Sequence, residues 1–146
     1  MADQLKIEAP SDDEISYLAK TWMHADSVCH DLLGERLDRS DGDLLRLQRM
    51  LDSRNIDRSA KYTLQALGVA FGSVFVNENP GYDWWMVEDE YGRDPAIRYQ
   101  KSTLLAHPRT MISKRIEDGE HVNVRELYDA LRMRLAQMVD EGYGAN

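Results

Sequence analysis

The sequence predicts an α+β domain in which N-terminal helices, including a central buried helix, precede a small antiparallel three-stranded sheet and two C-terminal helices. Apolar residues recur at helical spacing on both sides of a segment rich in aromatic and β-branched residues. The 146 residues, 42% of them hydrophobic, suffice for one domain with a core. We expect residues 1–10 to be a flexible leader and residues 11–146 to form that single domain.

The first helix begins at Ser11, because Glu14 follows three positions later and this is the spacing of a capping box. Apolar residues then recur every three or four positions and form one stripe. Cys29 belongs to this stripe, so we predict a buried, poorly reactive thiol that serves packing. The stripe consists of Ile15, Leu18, Trp22, Ala25, Cys29 and Leu32.

A second helix follows the chain break at Ser40–Asp43, and a third begins after Asp57 or Ser59, either of which is a suitable cap. The third helix is apolar on nearly every side and is therefore predicted to be the central, buried helix. Gly68 and Gly72 lie four positions apart in it, which predicts the close approach of another backbone.

The strands come next. Residues 82–91 and 96–100 are predicted to pair around a four-residue turn, with a third strand at 102–107. Pro108 is placed to begin a short helix. Asn123 is placed to cap the last helix, because a glutamate again follows three positions later.

Composition limits the classes of function. Eighteen Lys and Arg against 26 Asp and Glu give a net charge of −8, which disfavours binding to a phosphate backbone. Residues 66–76, the longest apolar run, are about half of the ~20 residues that a membrane helix needs. The N-terminus has no apolar signal core, and a single cysteine permits no intrachain disulfide. We therefore expect a cytoplasmic protein without nucleic-acid or membrane partners and without a cofactor.

Strand alternation divides the predicted hairpin into two faces. With a four-residue turn, Asp89 lies opposite Arg98 and an ion pair between them is predicted, whereas a two-residue turn would change that partner. The face expected to point toward the core carries Trp85, Val87, Asp89 and Tyr91. The face expected to be exposed carries Trp84, Met86, Glu88 and Glu90.

The hairpin also concentrates carboxylates, which has two interpretations. They could bind a hard cation or act as acid and base, or they could be the solvated side chains and structural ion pairs of an ordinary strand. We favour the second, because no calcium loop, histidine pair or nucleophile motif accompanies them, and we assign no catalytic or metal residue. The carboxylates are Asp83, Glu88, Asp89, Glu90 and Asp94.

A basic cluster on the short helix, Arg109, Lys114 and Arg115, lies close in sequence to this acidic hairpin. Because the two segments carry opposite charge, we predict that the cluster neutralises the hairpin. Lys114 and Arg115 are therefore expected, with Asp89 and Arg98, to form structural ion pairs.

Three segments of the chain are distinctive: Trp85–Ala96, Thr110–Glu120 and Leu67–Gly72. In these segments the chain resembles a bacterial family described only as domain of unknown function 3806, and the resemblance extends over about residues 58–140. It implies a compact α+β domain and brings no catalytic residues with it. Residues 1–57 look more specific to this chain.

Two functions follow as hypotheses. The first is a non-catalytic interaction protein for a basic partner, such as an immunity- or antitoxin-type protein, with self-association through residues 1–57 as a further option. Its predicted contact residues are Tyr82, Trp84, Glu88, Glu90, Tyr91 and Asp94. The alternative is a small-molecule or metal-dependent enzyme. It would use Glu88, Asp89 or Asp94 together with Arg98, Arg109 or Lys114.

Overall fold

The computed structural model describes residues 5–142, which form five α-helices and a four-stranded antiparallel sheet. The ends of the predicted leader and of the predicted domain, residues 1–4 and 143–146, lie outside the described residues. A 3-10 turn leads into α4 at Pro108–Thr110. In chain order the elements are β1 (Lys6–Glu8), α1 (Asp12–Leu33), α2 (Gly42–Asp52), α3 (Lys61–Glu78), β2 (Tyr82–Asp89), β3 (Gly92–Tyr99), β4 (Leu105–Ala106), α4 (Met111–Glu117) and α5 (Val124–Asp140).

The α+β class is confirmed, but the prediction of three strands is wrong. The strand order is β1-β2-β3-β4, and the additional strand β1 comes from the segment that was predicted to be a flexible leader. In this strand Ile7 pairs with Val87 of β2. This pairing satisfies backbone groups along the edge of β2 that would otherwise lack partners, which explains why so short a segment is ordered. The strand predicted at 102–107 is reduced to Leu105–Ala106.

The capping box at the start of α1 is confirmed. The Ser11 amide donates to Glu14 Oε1 at 2.9 Å, and the Glu14 amide donates to Ser11 Oγ at 3.2 Å. The predicted apolar stripe holds from the middle of the helix, where Ala25 and Cys29 are fully buried. It fails at Ile15, which is 54% exposed, because the first turns of α1 extend beyond the core.

The third helix, α3, is the buried centre of the fold, as predicted, but neither predicted residue caps it. The helix begins at Lys61 without a side-chain cap. Asp57 instead accepts hydrogen bonds from the Ser59 amide at 2.8 Å and the Ser59 hydroxyl at 2.6 Å, so the two candidate caps satisfy each other in the preceding turn. The predicted cap of α5 is correct, since Asn123 accepts a hydrogen bond from the Glu126 amide.

Close approach at the two glycines of α3 is also confirmed. A Cβ added at Gly68 would collide with the backbone carbonyl of Arg109. One added at Gly72 would lie 2.6 Å from Pro108 Cγ and 2.7 Å from Trp84 Cη2. The glycines therefore let the 3-10 turn and the sheet pack directly on α3.

Around α3, the core consists of aromatic and aliphatic side chains from every helix and from three strands. Phe75 packs edge to face on Tyr82 of β2, and Phe71 packs edge to face on Tyr128 of α5. These contacts fix the positions of the sheet and of α5 relative to α3. Within residues 5–142, no helix combines the length and the apolar character needed to cross a bilayer.

Candidate interaction surface

The hairpin has a two-residue turn, Glu90–Tyr91, between β2 and β3, where four residues were predicted. Asp89 Oδ1 accepts a hydrogen bond from the Tyr91 amide at 2.8 Å and thereby tightens the turn. In this register Asp89 lies opposite Gly92, and Arg98 lies opposite Asp83. The predicted Asp89–Arg98 pairing is therefore wrong, because shortening the turn moves every cross-strand partner.

The predicted division into a core face and an exposed face is only partly correct, because Val87 is buried as predicted but Met86 is buried as well. Tyr82 and Trp84, which were predicted contact residues, are half-buried and pack against the core. The Trp84 ring fits against Gly72 of α3, whose missing side chain leaves space for it. On the opposite face, the Arg98 guanidinium covers the Trp85 ring at 4.5 Å from its centroid. Tyr82 and Trp84 thus serve the packing of the sheet on α3.

The turn itself presents the exposed part of the hairpin. The Tyr91 side chain is 88% exposed, and it lies beside exposed Asp89 and Glu90. Among the described residues, neither of these two carboxylates forms an ion pair. We call Asp89, Glu90 and Tyr91 the hairpin tip. It combines one large aromatic side chain with two carboxylates on a two-residue turn.

Behind the tip, Arg93 of β3 holds four elements together through charged hydrogen bonds. Its Nε and Nη2 donate to the two carboxylate oxygens of Glu14 at 2.6 and 2.9 Å, in the bidentate geometry typical of arginine. Its Nη1 donates to Glu8 at 2.5 Å and to Glu88 at 3.4 Å. The hydrogen bonds from Arg93 lower the pKa of Glu14 to about 2, and the carboxylates raise the pKa of Arg93.

A second ion pair joins the hairpin to the 3-10 turn. Arg109 Nη2 donates to Asp94 Oδ1 at 2.6 Å, and Arg109 Nη1 donates to the Tyr17 hydroxyl of α1 at 3.3 Å. The predicted neutralisation of the acidic hairpin by the basic cluster therefore takes place through Arg109. It also engages Asp94, which was a predicted contact residue.

The four residues that were predicted to form structural ion pairs do not form them. Within residues 5–142, no carboxylate lies within ion-pair distance of Arg98, Lys114 or Arg115, and no basic group within that distance of Asp89. Arg98 donates instead to backbone carbonyls, at 2.6 Å to Ser102 and 2.8 Å to Lys101.

The residues of the alternative enzyme hypothesis are dispersed over separate contacts. Glu88 binds Arg93, Asp94 binds Arg109, and Asp89 bonds to its own turn. Acid–base catalysis requires carboxylates that meet at one reacting centre, whereas these three are engaged by different partners. Among the described residues, no group of three or more His, Cys, Asp or Glu side chains is arranged to hold a metal ion.

Arg93 was not among the predicted site residues, although it is the centre of the charge cluster that joins Glu8, Glu14 and Glu88. A signal for it was present: with a two-residue turn, strand pairing places Arg93 directly opposite Glu88. Its bonds to Glu8 and Glu14 join residues 85 and 79 positions apart in the chain. No local pattern indicates contacts of that range.

Comparisons with known proteins agree with this fold. A structure search matches a protein from Bacteroides thetaiotaomicron VPI-5482, solved by crystallography at 1.50 Å resolution, with a TM-score of 0.81 and 20% sequence identity. The match covers 90% of this chain and 48% of the other, so the chain spans about half the length of that protein. At this identity the likeness concerns the fold alone. No curated protein matches the chain.

The family comparison is more specific. The model of the domain of unknown function DUF3806 matches residues 43–128, more than half of the chain. The matched range includes α2, which the resemblance of the three motifs left outside, together with α3, the hairpin and α4. The chain therefore belongs to the DUF3806 family.

Proposed function

We propose that this protein is a non-catalytic binding domain whose hairpin tip contacts a basic surface of a partner protein. The observation that carries the proposal is Tyr91, a large aromatic side chain that is 88% exposed beside two carboxylates without an ion pair among the described residues. Interfaces concentrate their binding energy in such aromatic residues once these are buried against a partner. A protein of the immunity or antitoxin type, which covers a basic surface of its target, is one form of such a domain.

The short, hydrogen-bonded turn of the tip supports the proposal. The turn has only two residues, and the bond between Asp89 and the Tyr91 amide restricts its backbone. Below the turn, Arg93 ties the hairpin to α1 and β1. A side chain presented on an ordered backbone loses little conformational entropy on binding, so more of the contact energy appears as affinity.

Charge supports the choice of partner. The chain carries a net charge of −8, and the tip adds two local carboxylates that no basic side chain among the described residues neutralises. A basic surface would be steered toward this tip over long range and could pair with the carboxylates on contact.

Site-specific photocrosslinking tests the proposal. The photoreactive residue p-benzoylphenylalanine replaces Tyr91 in one variant and Tyr62, an exposed tyrosine on α3, in a control variant. We expect illumination in a lysate of the native organism to attach one basic protein at position 91 and not at position 62. Adding Asp89→Lys and Glu90→Lys to the first variant should abolish that product.

Affinity measurements with the purified partner complete the test. Tyr91→Ala should raise the dissociation constant at least about tenfold, as expected for an aromatic residue that contributes much of the binding energy. Leu45→Ala removes an apolar side chain that is 66% exposed on α2 and serves as the matched control, with unchanged affinity. Identical crosslinked products at positions 91 and 62, or an affinity insensitive to Tyr91→Ala, would overturn the proposal.

A further inference from the structure

A groove on another part of the molecule runs between α4 and α5. Its two walls are α4, which packs on α3, and α5, which packs on α2 and also on Phe71 of α3. Its volume is about 210 Å³, and a neighbouring hollow of about 240 Å³ shares Arg115, Leu127 and Ala130 with it. The groove is lined by Met111, Arg115, Leu127, Ala130, Leu131 and Arg134.

Two arginines from different helices give this groove a positive charge. Within residues 5–142, neither Arg115 nor Arg134 forms an ion pair. Arg115 donates one hydrogen bond, from Nη1 to the Met111 carbonyl at 3.1 Å, which holds its guanidinium beside the groove. A guanidinium has five N–H donors, so most donors of Arg115 stay available to a ligand. The one acid of the adjoining hollow, Glu126, accepts a hydrogen bond from the Asn123 amide group.

The floor of the groove is apolar. Met111 and Leu127 are half-buried in it, and Leu131 closes it from below. Ala130 lies with the two leucines and Arg134 on the α5 side of the groove. Methionine side chains adapt their shape to different ligands and are common at protein-binding surfaces.

We propose that the groove binds an acidic segment of a protein partner that inserts apolar side chains between the two arginines. The argument is charge complementarity: unpaired guanidinium groups bind carboxylates in bidentate geometry, and an apolar floor between them favours a segment that alternates acids with apolar residues. The whole chain carries −8, whereas the groove brings together two guanidinium groups that form no ion pair within residues 5–142. The groove and the hairpin tip have opposite charge, so the inference does not depend on the function proposed for the tip.

The test uses a fluorescent synthetic peptide made of glutamate and leucine, with leucines at the spacing of one helix face. A scrambled peptide of the same composition is its control. Fluorescence polarisation should show saturable binding of the first peptide to the full chain, at least about tenfold tighter than that of the scrambled one. Arg115→Glu with Arg134→Glu should weaken binding at least about tenfold, as expected for the loss of two charged contacts.

The matched control is Lys114→Glu with Arg132→Glu, which changes the net charge equally at exposed positions of the same two helices that do not line the groove. This variant should retain most of the peptide affinity, and Tyr91→Ala should retain all of it. Equal loss in both double variants, absence of saturable binding, or equal binding of the scrambled peptide would overturn the proposal. So would a concentration-dependent dimer that Arg115→Glu with Arg134→Glu dissolves, since it would assign the groove to a second copy.

Discussion

Arg93 forms ion pairs with residues that lie far from it in the chain. It lies on β3 and binds carboxylates on β1, α1 and β2, so the charge cluster spans the hairpin and the N-terminal segment. Isolated surface ion pairs contribute little to stability, but a bidentate pair within a network is better ordered. The hairpin therefore keeps a defined position although its tip extends into solvent.

Glu14 makes this cluster sensitive to acid. Its pKa in the folded protein is about 2, against an ordinary value of 4.5, because Arg93 stabilises the ionised carboxylate. Since the folded-state pKa is lowered, its contribution to stability is complete above pH 4.5 and is lost as the pH falls to about 2.

Glu14→Gln should therefore lower the urea midpoint at neutral pH and flatten its decline between pH 4.5 and pH 2. Glutamine can still complete the capping box, so the substitution isolates the charge. Glu90→Gln, at an exposed carboxylate without an ion pair among the described residues, should leave the profile unchanged. Parallel acid profiles for wild type and Glu14→Gln would contradict the prediction.

At the scale of residues, a side-chain contact could be predicted from the sequence only where the two partners are close together in the chain. The bonds of Ser11 with Glu14 and of Asn123 with Glu126 were predictable, because both partners lie within one helical turn. The partner of Asp89 could not be predicted, because it depends on the length of the turn. Gly92 and Pro95 are typical turn residues and favoured a turn of four residues, whereas the turn has two.

At the scale of elements, α3 is contacted closely along the one face on which its glycines Gly68 and Gly72 lie. The carbonyls of Pro108 and Arg109 lie against Gly68, and the Trp84 ring lies against Gly72. The close spacing of these glycines was visible in the sequence, whereas the identity of the elements that approach them required the folded chain.

Gly68→Ala should destabilise the protein by about 1–3 kcal/mol, the usual cost of overpacking, because the new Cβ meets backbone atoms that cannot move aside. Without this contact, alanine would stabilise a helix by about 1 kcal/mol over glycine. The sign of the change in urea-unfolding free energy therefore tests the packing.

Gly42→Ala is the matched control, because a Cβ there would meet side-chain atoms and no backbone, at 3.2 Å from Arg46 Nη1 and 3.5 Å from Ser40 Oγ. It should be neutral or slightly stabilising. A Gly68→Ala protein as stable as the wild type would show that the 3-10 turn is not closely packed against α3.

At the scale of the molecule, one core joins all five helices to the sheet, and Cys29 lies inside it, fully buried. Burial raises the pKa of the Cys29 thiol, so little reactive thiolate is present at neutral pH. Reaction of this thiol with a soluble disulfide reagent therefore requires the opening of the core.

We expect the labelling of Cys29 in native buffer to be slow and to follow the global unfolding equilibrium as urea increases. Rates measured across the urea transition should give the same free energy as loss of circular dichroism. Rapid labelling well below the transition would instead show that α1 detaches locally from α3.

The local pattern of the sequence determined the α+β class, the buried central helix and the capped starts of α1 and α5, because periodicity and capping involve residues that are near neighbours in the chain. Only the tertiary structure decided that a fourth strand forms, which face of the hairpin meets α3, and which residues form ion pairs with each other. Each of these depends on contacts between distant segments: β1 pairs with β2, Trp84 fits against Gly72, and Arg93 binds Glu14. The tertiary structure also places Arg115 beside Arg134, in the groove between α4 and α5, and not in an ion pair with the hairpin.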